Sequence, residues 1–223
     1  MILKNRKIKK ESLKKIQLEI KKQTKIMAVT KTLSNKAIDS AIENNIYLIG
    51  ENKIQETEKK IKNYNNRKKV KIHLIGHLQS NKTKKAVKIY DIIETVSSLK
   101  ILNKINNEAL KINKKQNIYI QINIGKDKNK QGFLEKEVKE ICIEAKTKKN
   151  INNKGLMTIL PNKIKKEEQQ ALYGKMKKIQ TKIEKEIDKQ CKDLSMGMSG
   201  DYQVASKEGS TQIRIGTLLY GKR

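Results

Sequence analysis

A lysine ends an apolar segment near the N-terminus of the chain. The segment reads KIMAVTK, covers residues 25–31 and ends in Lys31. A continuous apolar run of this length is typical of a parallel strand covered on both faces, and it would leave Lys31 at the carboxyl end of that strand. A lysine that is partly desolvated there has a lowered pKa, and its amine can attack an aldehyde. Lys31 is therefore the candidate nucleophile.

Two segments near the C-terminus, SMGMSGD and RIGT, combine glycines with hydroxyl groups. Glycines let backbone N–H groups approach an anion closely, and Ser199 and Thr217 add hydroxyl donors. A helix predicted to begin directly after Gly200 would turn its positive N-terminus toward the same anion. Together with Gly216, these residues predict a phosphate site, although each segment alone could simply form a turn.

A nucleophilic lysine opposite a phosphate site indicates a phosphorylated aldehyde, and pyridoxal 5′-phosphate (PLP) carries both groups. Arg214 adds a third element, because side chains alternate along a strand and Arg214 therefore faces the same side as Gly216. From there it could hydrogen-bond a pyridine nitrogen. A guanidinium cannot accept a proton, so it would favour an unprotonated ring and weaken the ring as an electron sink. The alternative is a salt bridge at the surface or on the barrel floor.

These candidates need a scaffold that brings their segments together, and strand-like and helix-like segments alternate along the chain. Residues 9–23 place Leu13, Ile16 and Ile20 on one face of an amphipathic helix. Eight strands separated by helix-sized segments follow. The predicted strands are 25–31, 46–52, 71–76, 91–96, 117–124, 151–159, 193–199 and 212–217, and the predicted helices are 36–44, 54–64, 79–89, 98–112, 134–148, 166–188 and 201–208.

An eightfold alternation of this kind predicts a (β/α)8 TIM barrel, in which the carboxyl ends of the strands face the active site. A doubly wound open sheet is the rival fold, but its GxGxxG and GxxxxGK[ST] phosphate loops are both absent. No segment rich in Pro, Gly or Ser interrupts the series. We therefore predict one barrel domain over residues 1–223, preceded by an N-terminal helix.

The composition argues against several classes of protein. Two cysteines without a CxxC spacing provide neither a disulfide framework nor a zinc site. No apolar stretch follows the basic N-terminus as in a secretory leader, and no run of about 18 apolar residues could cross a membrane. His73 and His77 do not share a helix face, so we predict no metal site. We expect a protein of the reducing cytoplasm.

The formal net charge of +29 raises the hypothesis of nucleic-acid binding. Lys, Ile and Asn are abundant whereas Arg, Pro and Trp are scarce, as A+T-rich codon drift would produce. Residues 1–25 carry ten basic and two acidic residues, and residues 194–223 carry four and two. A single Phe leaves little aromatic surface for stacking on bases. We interpret the charge as solvated helix surface and predict no specific nucleic-acid partner.

Six segments, taken together and in order, closely resemble the pyridoxal phosphate homeostasis protein family. Its members are single-domain PLP-binding proteins similar to the barrel domain of bacterial alanine racemase, so the resemblance implies an alanine-racemase-type barrel. The segments are AVTKT (28–32), GEN (50–52), HLIGHLQSNK (73–82), NKQG (129–132), GLMT (155–158) and LSMGMSGDYQVASKEGSTQIRIGTLLYGKR (194–223).

The resemblance also implies roles for individual residues. Lys31 would form the Schiff base with PLP, Ser199, Gly216 and Thr217 would hold the phosphate, and Arg214 would meet the pyridine nitrogen. Two further residues would lie near the cofactor. The full implied set is Lys31, Asn52, Met157, Ser199, Arg214, Gly216 and Thr217.

The function that the resemblance implies is binding and buffering or delivery of PLP, with PLP-dependent apoenzymes as candidate recipients and no reaction of its own. A PLP-dependent amino-acid racemase is the alternative, but related enzymes complete their site with a second domain, so we expect a monomer without activity. Some family members carry a second lysine where this chain has Leu33. Lys130, in NKQG, matches a lysine that is common at that point, and its role is open.

Overall fold

The fold is a closed barrel of eight parallel strands, each hydrogen-bonded to its neighbours in chain order. A computed structural model describes residues 3–222. The first strand pairs with the last, so that Met27 lies opposite Arg214 and the barrel closes. The predicted (β/α)8 architecture and the helix that precedes it are confirmed.

The elements alternate as the sequence predicts. The strands are β1 (Lys25–Val29), β2 (Leu48–Glu51), β3 (Lys71–Leu74), β4 (Ile92–Val96), β5 (Gln116–Ile122), β6 (Ile151–Thr158), β7 (Asp193–Met198) and β8 (Gln212–Ile215). The α-helices are α1 (Lys10–Glu19), α2 (Asn35–Glu43), α3 (Ile54–Ile61), α4 (Thr83–Ile89), α5 (Leu99–Leu110), α6 (Val138–Thr147), α7 (Lys166–Glu186), α8 (Tyr202–Lys207) and α9 (Thr217–Tyr220). Short 3₁₀ helices cover Asn65–Lys69, Ser80–Lys82 and Glu135–Glu137.

Several predicted strands run past their observed ends. β1 ends at Val29 rather than at Lys31, and β8 ends at Ile215 rather than at Thr217, which begins the unpredicted helix α9. The chain turns at Lys31 and Thr32 soon after β1, and it enters α9 one residue after Gly216, but no Pro or turn dipeptide marks either strand end in the sequence. The candidate residues therefore lie mostly in loops at the barrel mouth rather than on strands.

The core lies both inside the barrel and between the barrel and its helices. In α2, for example, Ala37, Ile38 and Ala41 are completely buried, which is the spacing of one helix face. The helices pack this face on the strands, and the lysines lie on the outside. Lys60 is the exception, since it alone is buried among the lysines of residues 3–222. Within the same residues, no helix is both long and apolar enough to cross a membrane.

Candidate functional site

A cavity of about 350 Å³ opens at the carboxyl ends of the strands. It contains six of the seven predicted cofactor-binding residues, and Met157 is the seventh. Residues from the ends of β1, β2, β3, β6, β7 and β8 contribute, as expected for a site at the mouth of a TIM barrel. The lining residues are Val29, Lys31, Asn52, Ile75, Ile159, Met198, Ser199, Gly200, Arg214, Gly216 and Thr217.

A larger cavity of about 610 Å³ lies at the other end of the barrel. It is lined by residues where β1 and β2 begin, among them Lys25 and Leu48, and by the end of the segment after α1. The amino ends of barrel strands contribute to stability rather than to chemistry in this fold. None of the predicted site residues lies there, so size alone does not identify the site.

Lys31 occupies a tight turn directly after β1. The turn is closed by a hydrogen bond from the Leu33 N–H to the Thr30 carbonyl oxygen, at 3.0 Å. Thr32 has a φ of +65°, which is unusual for a β-branched residue. A short N-terminal strand segment lies alongside, because Lys4 forms a parallel bridge with Leu33. The nucleophile candidate is thus half-buried in a constrained turn.

Three charged side chains lie behind this turn, and we call Glu51, Glu56 and Lys60 the outer cluster. Lys60 Nζ is 2.6 Å from Glu51 Oε1 and 3.6 Å from Glu56 Oε1. The side chains of Glu51 and Lys60 are 1% exposed, and that of Glu56 is 9% exposed. Glu51 is the last residue of β2, next to Asn52, but its side chain points away from the cavity toward α3. Burial raises its pKa, although Lys60 opposes that shift.

The predicted phosphate loop, residues 199–200, follows β7 and is stabilised by hydrogen bonds to Asp201. Its Oδ1 accepts a 2.6 Å hydrogen bond from the Met198 N–H, and its Oδ2 accepts one of 2.8 Å from the Tyr173 hydroxyl. Burial and this neighbouring carboxylate raise the pKa of Tyr173, so the phenol remains a donor. The space beside Gly200 is open, because a Cβ there would meet no atom within 4 Å.

The predicted contribution of a helix N-terminus to this loop is modest. α8 begins at Tyr202 rather than at Asp201, and it has only six residues. Asp201 precedes it and already accepts the Met198 N–H. The donors available to an anion are therefore mainly the loop's own N–H groups and the Ser199 and Thr217 hydroxyls, because the helix is short and the Asp201 carboxylate lies directly before its first residue.

Arg214 extends from β8 into the barrel interior and is 4% exposed. Its Nη1 donates to Ser195 Oγ and its Nη2 to the Thr158 carbonyl oxygen, both at 2.7 Å. These two acceptors fix the plane of the guanidinium, which also lines the cavity. The structure places Arg214 between the cavity and a buried charged network on the barrel floor, where a salt bridge is the alternative role that the sequence leaves open.

That network fills the barrel below the cavity, and we call His73, Glu94, Ser195, Gln212 and Arg214 the inner cluster. Glu94 Oε1 contacts His73 Nδ1 at 2.6 Å and accepts from Gln212 Nε2 at 2.7 Å. Glu94 Oε2 accepts from the Ser195 hydroxyl at 2.7 Å. Burial alone would raise the pKa of Glu94, but hydrogen bonds from His73 and Ser195 and the charge of Arg214 lower it overall.

Asn52 lines the cavity directly after β2. Its Oδ1 is buried and accepts no hydrogen bond from any described residue. The position of Asn52 depends on Gly76, because a Cβ at Gly76 would lie 2.3 Å from the Asn52 carbonyl oxygen. Asn52 therefore brings to the cavity wall a side-chain oxygen that has no donor among the described residues.

Other predicted residues lie elsewhere. Met157, on β6, is completely buried and does not line the cavity, whereas Ile159 does, so a contact between Met157 and the cofactor remains a prediction. Leu33 is buried beside Lys4. Lys130 lies in a loop where its carbonyl oxygen accepts from Asn123 Nδ2, and it does not line the cavity. Within residues 3–222, no three or more His, Cys, Asp or Glu side chains lie close enough together to bind a metal ion.

Sequence reasoning missed both clusters, although weak signals exist. Glu94 is a lone charge inside the apolar run DIIETV, and Ser195 precedes Arg214 on the neighbouring strand. Lys60 follows the buried Thr57 by three residues and therefore lies on the buried face of α3. The spacing of His73 and His77 bears only on metal binding, and the sequence does not reveal that His73 contacts Glu94 in the inner cluster.

Residues 9–223 match the family model described as alanine racemase, N-terminal domain. A protein from Synechocystis sp. named pyridoxal phosphate homeostasis protein is 37% identical over 199 residues, which cover 89% of this chain and 91% of that protein. A protein of the same name from Aquifex aeolicus is 32% identical over 201 residues, which cover 89% and 87%.

Solved structures of related proteins have the same fold. PipY from Synechococcus elongatus without PLP matches with a TM-score of 0.87 at 29% identity, over 95% of this chain and 99% of that chain. The structure of PipY with PLP bound matches with a TM-score of 0.85 at 28% identity and the same coverage. An alanine racemase from Clostridium difficile matches with a TM-score of 0.76 at 18% identity, over 96% of this chain and 56% of that chain. This last likeness concerns the fold alone.

Proposed function

Because the chain belongs to the alanine racemase N-terminal domain family and, within it, to the pyridoxal phosphate homeostasis proteins, we propose that it binds PLP and buffers or delivers it. The cavity at the carboxyl ends of the strands is the proposed binding site. The observation that carries this proposal is that Lys31, Arg214, Ser199 and Thr217 all line one cavity.

The cavity fits this ligand in size and in chemistry. A volume of about 350 Å³ is at the lower end of the range for small-molecule sites. The unpartnered Asn52 Oδ1 can accept a hydrogen bond from the phenolic hydroxyl of the cofactor. The open space beside Gly200 leaves room for a phosphate next to the Ser199 hydroxyl. Both ends of the ligand thus find partners.

Different side chains would bind different parts of PLP. When bound, PLP supplies an aldehyde whose carbon forms a C=N bond with the deprotonated Lys31 amine, with loss of one water. Ser199, Gly216 and Thr217 hold the phosphate at the other side of the cavity. Arg214 donates to the ring nitrogen, and its two acceptors, Ser195 and the Thr158 carbonyl, keep it in place. A permanently charged donor favours an unprotonated ring, which suits storage better than carbanion chemistry.

We do not assign an enzymatic reaction to this site. The relatives that match along most of their length carry the name of a homeostasis protein rather than that of an enzyme. The likeness to the racemase covers 56% of that chain, so it supports the barrel and not the reaction. Incubating the loaded protein with L-alanine and analysing the mixture on a chiral column is expected to show no sustained turnover.

Our proposal extends to the cellular setting. We propose a cytoplasmic monomer that passes PLP to PLP-dependent apoenzymes. The two free and buried thiols, Cys142 and Cys191, agree with a reducing compartment. Light scattering of the purified protein tests the monomer, and transfer of PLP to an apoenzyme across a dialysis membrane, compared with direct mixing, tests whether contact is needed.

One experiment tests the binding proposal directly. The purified protein is mixed with PLP, its visible spectrum is recorded, and the complex is reduced with borohydride and mapped by peptide mass spectrometry. We expect a yellow protein with the adduct on Lys31, no adduct in Lys31→Ala, and an unchanged adduct in the matched control Lys36→Ala, an exposed lysine on α2. A colourless wild-type protein, or an adduct on another lysine, would overturn the proposal.

A further inference from the structure

The outer cluster touches the backbone on both sides of Lys31. On the N-terminal side, the Thr30 hydroxyl donates to Glu51 Oε1 at 2.5 Å, and Lys60 Nζ donates to the Thr30 carbonyl oxygen at 3.0 Å. On the C-terminal side, the Thr32 N–H donates to Glu56 Oε1 at 2.5 Å. The residues before and after Lys31 are therefore tied to one group of charges.

These contacts lie next to Thr32, whose backbone conformation is unfavourable. Thr32 holds a φ of +65°, a region that β-branched residues avoid, and such conformations persist only when their surroundings enforce them. Glu56 supplies that restraint through the Thr32 N–H, because the bond requires the amide to point toward α3. Without it, the turn keeps the Leu33 N–H bond to the Thr30 carbonyl and the weaker contact of the Lys4 N–H with the Thr32 carbonyl, but the Thr32 N–H loses its acceptor.

The cluster is also an unusual way to stabilise a barrel wall. Two carboxylates face one ammonium, and Glu51 Oε2 and Glu56 Oε2 are buried without a hydrogen bond from any described residue. Burying charges in this way stabilises a fold little, or not at all, compared with apolar side chains of similar size. A role in placing the turn accounts for the contacts better than a role in holding α3 on β2.

We propose that Lys60, Glu51 and Glu56 are positioning residues that hold the Lys31 turn in the geometry that captures and retains PLP. The inference rests on the proposed function, since it concerns the lysine that takes the cofactor. Lys60 joins the two carboxylates, Glu51 and Lys60 fix Thr30, and Glu56 fixes Thr32. The nucleophile is thereby aligned from outside the barrel wall, by residues that do not touch the ligand.

The test compares two glutamates of the same helix. Glu56→Ala removes the acceptor of the Thr32 N–H, and Glu56→Gln keeps an acceptor oxygen in its place. Glu58→Ala is the matched control, because Glu58 forms only an exposed pair with Lys85, at 2.7 Å. Three quantities are measured in each protein. They are the rate of PLP release after dilution, the amide exchange rate of Thr32 by NMR in the PLP-free protein, and the urea unfolding midpoint.

We expect Glu56→Ala to release PLP about tenfold faster and to exchange the Thr32 amide about tenfold faster than wild type, which corresponds to losing one modest backbone restraint. Glu56→Gln is expected to restore most of both values, and Glu58→Ala to match wild type. Lys60→Met is expected to speed release as well. If Lys60→Met does not fold, the comparison of the two Glu56 variants still decides.

The outcomes separate the two proposals. A wild-type protein that takes up no PLP on Lys31 overturns the proposed function. A wild-type protein that holds PLP on Lys31, together with a Glu56→Ala variant whose release and Thr32 exchange match those of Glu58→Ala, overturns the positioning role alone. A Glu56→Ala variant that unfolds more easily but releases PLP at the wild-type rate also overturns it, because the cluster would then serve only stability.

Discussion

Two buried charged clusters support the candidate site, and they differ in how fully their carboxylates are hydrogen-bonded. The buried atom of the inner cluster that has no partner among the described residues is His73 Nε2, not a carboxylate oxygen. In the inner cluster, Glu94 contacts His73, Gln212 and Ser195 through both of its oxygens. In the outer cluster, Glu51 uses only Oε1, which contacts Thr30 and Lys60, and its Oε2 has no donor among the described residues. The pKa of Glu94 is lowered, and that of Glu51 is raised by burial.

The difference shows two ways of placing a cation at a binding site. In the inner cluster, the Glu94 carboxylate accepts from the Ser195 hydroxyl, and the Ser195 oxygen in turn accepts from Arg214 and orients the guanidinium. The outer cluster uses its own cation, Lys60, to hold backbone instead, and its two carboxylates compete for that single ammonium. We infer that the inner cluster sets the orientation of Arg214, whereas the outer cluster sets the shape of the turn.

The largest expected effect is that of removing the centre of the inner cluster. Glu94→Ala leaves His73, Gln212 and Ser195 without their shared acceptor and Arg214 without its nearby negative charge. We expect the free energy of unfolding to fall by about 3–5 kcal/mol in urea denaturation, as when one member of a buried charge pair is deleted. Glu58→Ala, at an exposed pair, is expected to change it by less than about 0.5 kcal/mol. A loss below about 1 kcal/mol for Glu94→Ala would show that the inner cluster is dispensable.

Ser195→Ala tests the link between the inner cluster and the cavity, and its expected effect on stability is smaller than that of Glu94→Ala. It removes the hydroxyl that accepts from Arg214 Nη1 and donates to Glu94 Oε2. We expect a loss of about 1–3 kcal/mol in unfolding free energy, because three buried partners, Arg214, Glu94 and Gln212, each lose a hydrogen bond. PLP affinity, measured by titrating the visible absorbance, is expected to fall as well, since one acceptor that orients the guanidinium is gone. Unchanged affinity would mean that Thr158 alone holds Arg214.

The outer cluster is expected to tolerate loss of a charge better. Glu51→Gln keeps an oxygen for the Thr30 hydroxyl and resembles the neutral form that burial favours. We expect a cost of about 1 kcal/mol at pH 7 in urea denaturation, smaller than that of Glu94→Gln in the same assay. Equal costs for the two variants would abolish the distinction between the clusters.

The smallest effect is the dependence of stability on pH, and its sign differs between the clusters. The raised pKa of Glu51 means that the folded protein binds its proton more tightly, so this contribution to stability is present below pH 4.5 and is lost as pH rises. The lowered pKa of Glu94 works the other way, and its contribution is present above pH 4.5 and lost as pH falls below it. Unfolding midpoints across pH 3–8 are expected to lose the first component in Glu51→Gln and the second in Glu94→Gln. The same slope in wild type and both variants would contradict these assignments.

The sequence predicts the positions that depend on local pattern and misses those that depend on distant contacts. Lys31 and Arg214 are predictable because one follows an apolar run and the other shares a strand face with Gly216. Glu94 is separated from Ser195 by 101 residues and from Gln212 by 118, so no local pattern links them. Such contacts exist only once the barrel is closed.

The strand ends show the same limit on a smaller scale. The sequence pattern extends the last strand to Thr217, although Thr217 begins helix α9. The turn at Lys31 depends on the acceptor from Glu56 on α3, and the position of Asn52 depends on close contact with Gly76. In these cases a residue from another element positions the backbone. The alternation of apolar and polar residues does not predict such a contact.

The pairing of β1 with β8 has a consequence for the order of folding. Met27 and Arg214 are neighbours across this seam, although they come from the first and last strands. Such a contact is slow to form, because a long loop of chain must be closed before the pairing stabilises anything. During synthesis, Lys31 emerges early but acquires Arg214 and the loop after β8 only when the final strand docks. A nascent or truncated barrel therefore has Lys31 without Arg214 and Thr217, which we propose bind PLP with it, and we expect only the closed barrel to retain the cofactor.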